Sequence, residues 1–140
     1  MESRKVYVDA SVVLRTILKQ PGAIADYETW DLAVTSELMQ LEALRTFDRL
    51  FVTGRWSPSE LADYVDDLRT FTDGFQRVPI GPAVLRRASG PIPSPLGALD
   101  AIHLATALLW MESNLEDLTL VTHDRQLAAA ARAYGMEVRI

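Results

Sequence analysis

Two kinds of apolar pattern alternate along this chain: short continuous runs, and longer stretches in which apolar residues recur every third or fourth position. Val6, Tyr7 and Val8 form a run that stops at Asp9, after which Val12, Val13, Ile17 and Leu18 recur at helical spacing. The pair predicts a buried strand over 5–8 and a helix closed by Pro21 and Gly22. A second strand is expected at Leu32 to Thr35. Ser36 can cap the helix that follows, which runs to about Val52 with Gly54 just past its end.

The next helix carries the clearest local start signal. Ser57 and Glu60 form a capping box, Pro58 suits the first turn, and Trp56 can staple onto Leu61. Its Asp63, Asp66 and Asp67 make a solvated acidic face, and Gly74 marks its end. Phe75 to Ile80 is strand-like, Pro82 to Ala88 forms a short helix, and the Gly90, Pro91, Pro93, Pro95, Gly97 series makes a rigid loop. Ala98 to Met111 is apolar on nearly every side, the mark of a helix packed inside the protein. Leu118 to Thr122 is the most convincing strand; a helix from about Asp124 to Tyr134 ends at Gly135, and Met136 to Ile140 gives a last strand. Strands alternating with helices predict parallel pairing and an α/β fold.

Composition narrows the class. At 140 residues with 49% hydrophobic content, the chain is read as one domain over 1–140, able to bury about two thirds of its unfolded surface. It has no cysteine, which removes disulfides, thiolate zinc sites and a thiol nucleophile. The opening Met1 to Lys5 leads straight into a run too short for a signal peptide or membrane span, so a soluble intracellular protein is expected. A net charge of −5 and a pI near 5.0 argue against diffuse binding to a polyanion. A nucleic-acid substrate would need local arginines and bound metal.

Four carboxylates stand where such a sheet gathers a site. Asp9 and Asp124 each follow a strand and precede a helix, positions that suit either an N-cap or a ligand site at the strand carboxyl ends. Asp100 shares a helical stripe with Leu104, Ala107, Leu108 and Met111, where an unpaired charge is costly and a partner is required. Glu42 shares a face with Arg45 and can be an exposed ion pair or a site residue, while Glu37 is explained by the helix dipole. Ser11 and Thr122 can bond a carboxylate or a backbone amide. His103 is expected to be a hydrogen-bonded packing residue and His123 a loop side chain. No nucleophilic triad, Walker loop, GxGxxG or HExxH is present. Acids gathered together repel at neutral pH, and oxygen-only donors select hard divalent cations.

The segments Val6 to Ser11, Ser36 through Glu42 to Arg45, Leu99 to Ala107 and Leu120 to Asp124 together resemble a PIN domain, and more narrowly the VapC toxins of VapBC toxin–antitoxin pairs. The resemblance spans nearly the whole chain in the right order, and the Leu99 to Ala107 motif is its most specific part. It implies an α/β/α sandwich around a central, mostly parallel sheet. It also implies an acidic metal site of Asp9, Glu42, Asp100 and Asp124, often with the hydroxyl of Ser11 or Thr122 beside it. The activity implied is that of a magnesium- or manganese-dependent ribonuclease giving 5′-phosphate and 3′-hydroxyl ends. Its implied partners are RNA and a VapB antitoxin, and the protein is commonly a dimer. The acidic net charge and the proline-rich Gly90 to Gly97 segment are not distinctive of the family.

On this reading Asp9, Asp100 and Asp124 mainly ligate metal, and Glu42 completes the shell or orients the attacking water. Arg15 and Arg45 are candidates for holding backbone phosphates. Two rivals stand beside it. A phosphoaspartyl hydrolase would use Asp9 as nucleophile, but Ser11 occupies the place where that chemistry usually has a second Asp. A non-catalytic acidic α/β binding module would use the same acids only as helix caps.

Overall fold

The computed structural model describes residues 4–140; Met1 to Ser3, the start of the segment read for targeting signals, lie outside the described residues. Five strands form one sheet in the order β3-β2-β1-β4-β5, every neighbouring pair parallel. They are β1 (Lys5–Val8), β2 (Leu32–Ser36), β3 (Gln76–Val78), β4 (Thr119–Val121) and β5 (Glu137–Arg139). The expected mostly parallel sheet is thus parallel throughout. Six α-helices cover it: α1 (Ala10–Ile17), α2 (Leu38–Val52), α3 (Pro58–Thr72), α4 (Pro82–Ala88), α5 (Ala98–Asn114) and α6 (Arg125–Ala133). A 3-10 turn at Tyr27–Thr29, which the sequence pattern did not announce, lies between α1 and β2.

Alternation along β1 sets the layers. Val6 and Val8 face a core built with Val12 and Val13 of α1, Met39, Ala43 and Phe47 of α2, and Leu68 of α3. Tyr7, between them, faces the opposite core with Leu104 and Leu108 of α5 and Leu127 and Ala131 of α6. The result is a three-layer α/β/α sandwich, and a strand buried on both faces explains why β1 reads as an unbroken apolar run. Among the described residues no helix is long and apolar enough to cross a membrane.

Local signals hold where backbone chemistry is strongest. Ser57 and Glu60 make both bonds of the capping box, at 3.1 and 3.0 Å. Gly54 and Gly135 end their helices at φ of +77° and +82°, a conformation in which a side chain is strained. The Ser36 hydroxyl accepts from the Leu38 amide at 3.1 Å, although α2 itself begins one residue later than a Ser36 cap implies. Helix α5 continues past Met111 to Asn114 and ends at Leu115, which takes the left-handed conformation usually left to glycine.

Candidate active site

The chain steps from β1 outward to β2 and β3, then returns to the other side of β1 with β4. The strand order therefore reverses between β1 and β4, and the crevice outside their carboxyl ends is the place where open parallel sheets bind ligands. Asp9 leaves β1 there and Asp124 follows β4, each at the N-cap of the next helix.

Asp9 is 4% exposed and held by two hydroxyls: Ser11 donates to Oδ1 at 2.6 Å and Thr122 to Oδ2 at 2.7 Å. Its capping bond from the Val12 amide is long, at 3.4 Å, so the hydroxyls define its orientation. The same two hydroxyls tie down the loop after β4. Ser11 Oγ accepts from the His123 amide at 3.0 Å, and Thr122 Oγ1 from the Asp124 amide at 3.0 Å. Burial raises the Asp9 pKa, opposed by the hydrogen bonds from Ser11 and Thr122. Sequence left the roles of Ser11 and Thr122 open; each hydroxyl binds both a carboxylate and a backbone amide.

Asp124 accepts from the Leu127 amide at 2.9 Å, a sound N-cap bond. Asp100, in the first turn of α5, lies beside it. Partial burial pushes the Asp100 pKa up to about 6, reinforced by the neighbouring Asp124 and by the charge of Asp9. Asp9 and Asp124, far from Asp100 in sequence, thus both act on it in space.

Glu42, in the second turn of α2, is turned to a different partner. Its Oε1 lies 2.6 Å from Nε2 of His103, whose Nδ1 lies 2.7 Å from the Tyr7 hydroxyl. The Arg45 pairing weighed for Glu42 is not formed: Arg45 instead pairs with Asp48 at 3.1 Å on the exposed side of α2. Glu37 accepts from the Ile80 amide at 2.8 Å, fastening the segment after β3 to the head of α2. Arg15 reaches over Gly22, where a Cβ would meet Nη1 at 3.5 Å, and its charge assists burial in lowering the His123 pKa. Arg15 therefore acts on His123, the residue whose amide is bound by Ser11, whereas Arg45 sits out on the α2 surface.

A model of the PIN domain family matches residues 6–133. The chain belongs to the PIN domain family. Among relatives, Ribonuclease VapC47 of Mycobacterium tuberculosis is 28% identical, the match covering 93% of this chain and 92% of that protein. The fold is shared with PAE2754 from Pyrobaculum aerophilum, at a TM-score of 0.63 and 23% identity over 96% of this chain and 83% of that one. It is shared equally with a chain from a toxin–antitoxin complex of Klebsiella pneumoniae, at a TM-score of 0.63 and 18% identity over 89% and 91% of the two chains.

In this PIN domain the donors at the crevice are carboxylate oxygens, the set that suits a hard cation such as magnesium or manganese. Among the described residues no three acidic or imidazole groups stand close enough to close on an ion as they are. The raised Asp100 pKa marks charge that the surrounding chain leaves unneutralised and a cation would relieve. The feature that sequence reasoning missed is the Tyr7–His103–Glu42 chain. Its one available signal was a histidine one turn after Asp100 on a helix otherwise apolar there.

Proposed function

We propose that this PIN domain is a divalent-metal-dependent endoribonuclease of the VapC kind. On this reading it is a cytoplasmic toxin that acts as a homodimer and is restrained by a VapB-like antitoxin. The observation that carries the reading is the placing of Asp9 and Asp124 at the sheet's switch point with Asp100 beside them, where burial and the neighbouring acids hold the Asp100 proton up to about 6. The ribonuclease relative and the toxin–antitoxin complex support the substrate and the partner.

Asp9, Asp100 and Asp124 would hold magnesium or manganese, directly or through water, and Glu42 completes the shell or orients the attacking water. Bound there, the ion supplies an activated water at neutral pH and positive charge for the phosphoryl oxygens. Ser11 and Thr122 keep Asp9 aimed and favour its ionised form by donating to both its oxygens. With Oε1 occupied by His103, Glu42 keeps one oxygen to receive a proton from water. In-line attack would form a new P–O bond and break the bond to the 3′ oxygen, which takes a proton from solvent, leaving 5′-phosphate and 3′-hydroxyl ends. Arg15 on α1 and Arg45 on α2 hold flanking phosphates.

The test pairs manganese calorimetry with incubation of RNA and purified protein in manganese or chelator, followed by sequencing of the RNA ends. Manganese-dependent cleavage is expected, abolished by Asp100→Asn. A protein that neither binds manganese nor cuts RNA leaves the acids as helix caps and the chain as an acidic binding module.

A further inference from the structure

His103 sits one turn past Asp100 on α5 and is 1% exposed. Other buried polar side chains on these helices satisfy themselves locally: Thr72 donates to the Leu68 carbonyl and Thr106 to the Ile102 carbonyl, each one turn back. His103 instead ties three elements together. Nδ1 meets the Tyr7 hydroxyl on β1 at 2.7 Å, and Nε2 meets Glu42 Oε1 on α2 at 2.6 Å. The Tyr7 and His103 rings also meet edge to face, with centroids 5.8 Å apart.

The partners assign the protons. An ionised carboxylate only accepts, so Nε2 carries the hydrogen and donates it to Glu42. Tyr7 is fully buried and keeps its phenolic hydrogen, which it donates to Nδ1. The imidazole is thus fixed at both nitrogens. Glu42 is half-buried on a helix surface, with Arg45 one turn along as the ordinary partner for a glutamate. That pairing would draw the carboxylate away from the crevice, and the charge-assisted bond from a buried imidazole holds it instead.

We infer that His103 is a positioning residue of the site: clamped by Tyr7, it fixes Glu42 through Oε1 and thereby dedicates the other Glu42 oxygen to the reaction. This rests on the ribonuclease reading. Tyr7 then belongs to the same device, orienting the ring that orients the acid.

Single-turnover cleavage at excess enzyme gives the first test. His103→Leu is expected to slow the step about 10–100-fold, the scale of losing a group that orients a metal-site ligand, with KM moved by less than about threefold. His103→Gln, whose amide can still donate to Glu42, should recover most of that loss. In a Glu42→Ala background, His103→Leu should cost nothing more, because both changes remove one device. Additive losses, or equal losses in the Gln and Leu variants, overturn the inference. A second readout needs no activity: NMR of 15N-labelled, metal-free protein should show a hydrogen on His103 Nε2, and a bare Nε2 overturns the assignment. If His103→Leu does not fold, Tyr7→Phe removes the clamp at nearly constant volume, and its loss should likewise vanish in the Glu42→Ala background. Asp100→Asn separates the two readings. Cleavage by that variant ends the ribonuclease reading itself, whereas its inactivity together with additive His103 and Glu42 losses ends only the positioning role.

Discussion

Asp26 and Asp100 are both half-buried carboxylates, and their surroundings push them in opposite directions. Asp26 Oδ2 accepts from Arg139 at 2.8 Å and from Arg4 at 3.3 Å, and the Arg139 guanidinium holds its pKa below the ordinary carboxylate range. Asp100 meets partial burial and other acids, and its pKa rises to about 6. Asp26 lines a cavity of about 950 Å³ with Arg4, Lys5, Trp30, Glu137 and Arg139, and none of Asp9, Asp100 and Asp124 lines it. Cavity volume therefore does not mark the chemistry of this molecule. Where the chain neutralises its own charge, as at Asp26, a carboxyl is held ionised; where burial meets other acids, as at Asp100, it is held toward its neutral form.

The sharpest way to break this comparison is Asp100→Asn. Cleavage should fall by about 10³-fold, the scale of losing a group that supports transition-state charge, while the metal-free protein melts higher than wild type at pH 7. A variant that cleaves normally and melts lower removes the distinction between the two acids. Thr122→Val comes next, because it keeps shape but strips the donor from buried Asp9 Oδ2. A loss of about 1–3 kcal/mol in denaturant unfolding is expected, with weaker manganese binding by calorimetry.

The third prediction is the pH dependence of the metal-free protein. In the unfolded chain the Asp100 carboxyl loses its proton near its ordinary value of about 4, whereas the folded protein holds it to about 6. The folded state therefore binds more protons across that window, and stability falls as pH rises from about 4 to about 6, then levels off. Because Asp100 is half exposed, solvent screening limits the effect to on the order of 1 kcal/mol. Urea melts of wild type and Asp100→Asn should diverge across this window and nearly coincide below it; parallel curves would contradict the assignment. Asp26→Asn gives the smallest effect and the opposite sign. Its depressed pKa contributes stability above about pH 4 that is lost on acidification, so the variant should flatten only the acid limb of the melting profile and leave cleavage unchanged.

Elements were legible in the sequence where the signal is backbone chemistry. The capping box at Ser57, the glycines at 54 and 135 and the apolar run of β1 each correspond to the structure within a residue or two. The end of α5 was not, because Leu115 takes a left-handed conformation for which sequence offers no cue. The 3-10 turn at Tyr27–Thr29 was hidden for a similar reason, since its residues lack both periodicity and an N-cap bond.

The site divides along the same line. Asp9 and Asp124 were legible as strand-to-helix residues, and Asp100 as a carboxylate on an apolar stripe, because each is anomalous against its own segment. Arg45, on an exposed helix face, carried no such anomaly, and its pairing with Asp48 rather than Glu42 could be read only from the fold. By itself the sequence determined the alternating order of strands and helices, the acids that stand at their junctions, and the absence of thiol chemistry. Period and capping act over a few neighbouring residues and leave their mark there. Only the tertiary structure decided that Asp9 and Asp124 both bear on Asp100, and that Glu42 answers to His103 and Tyr7 rather than to Arg45. Those facts depend on side chains from distant segments meeting across packed layers, which no local pattern along the chain encodes.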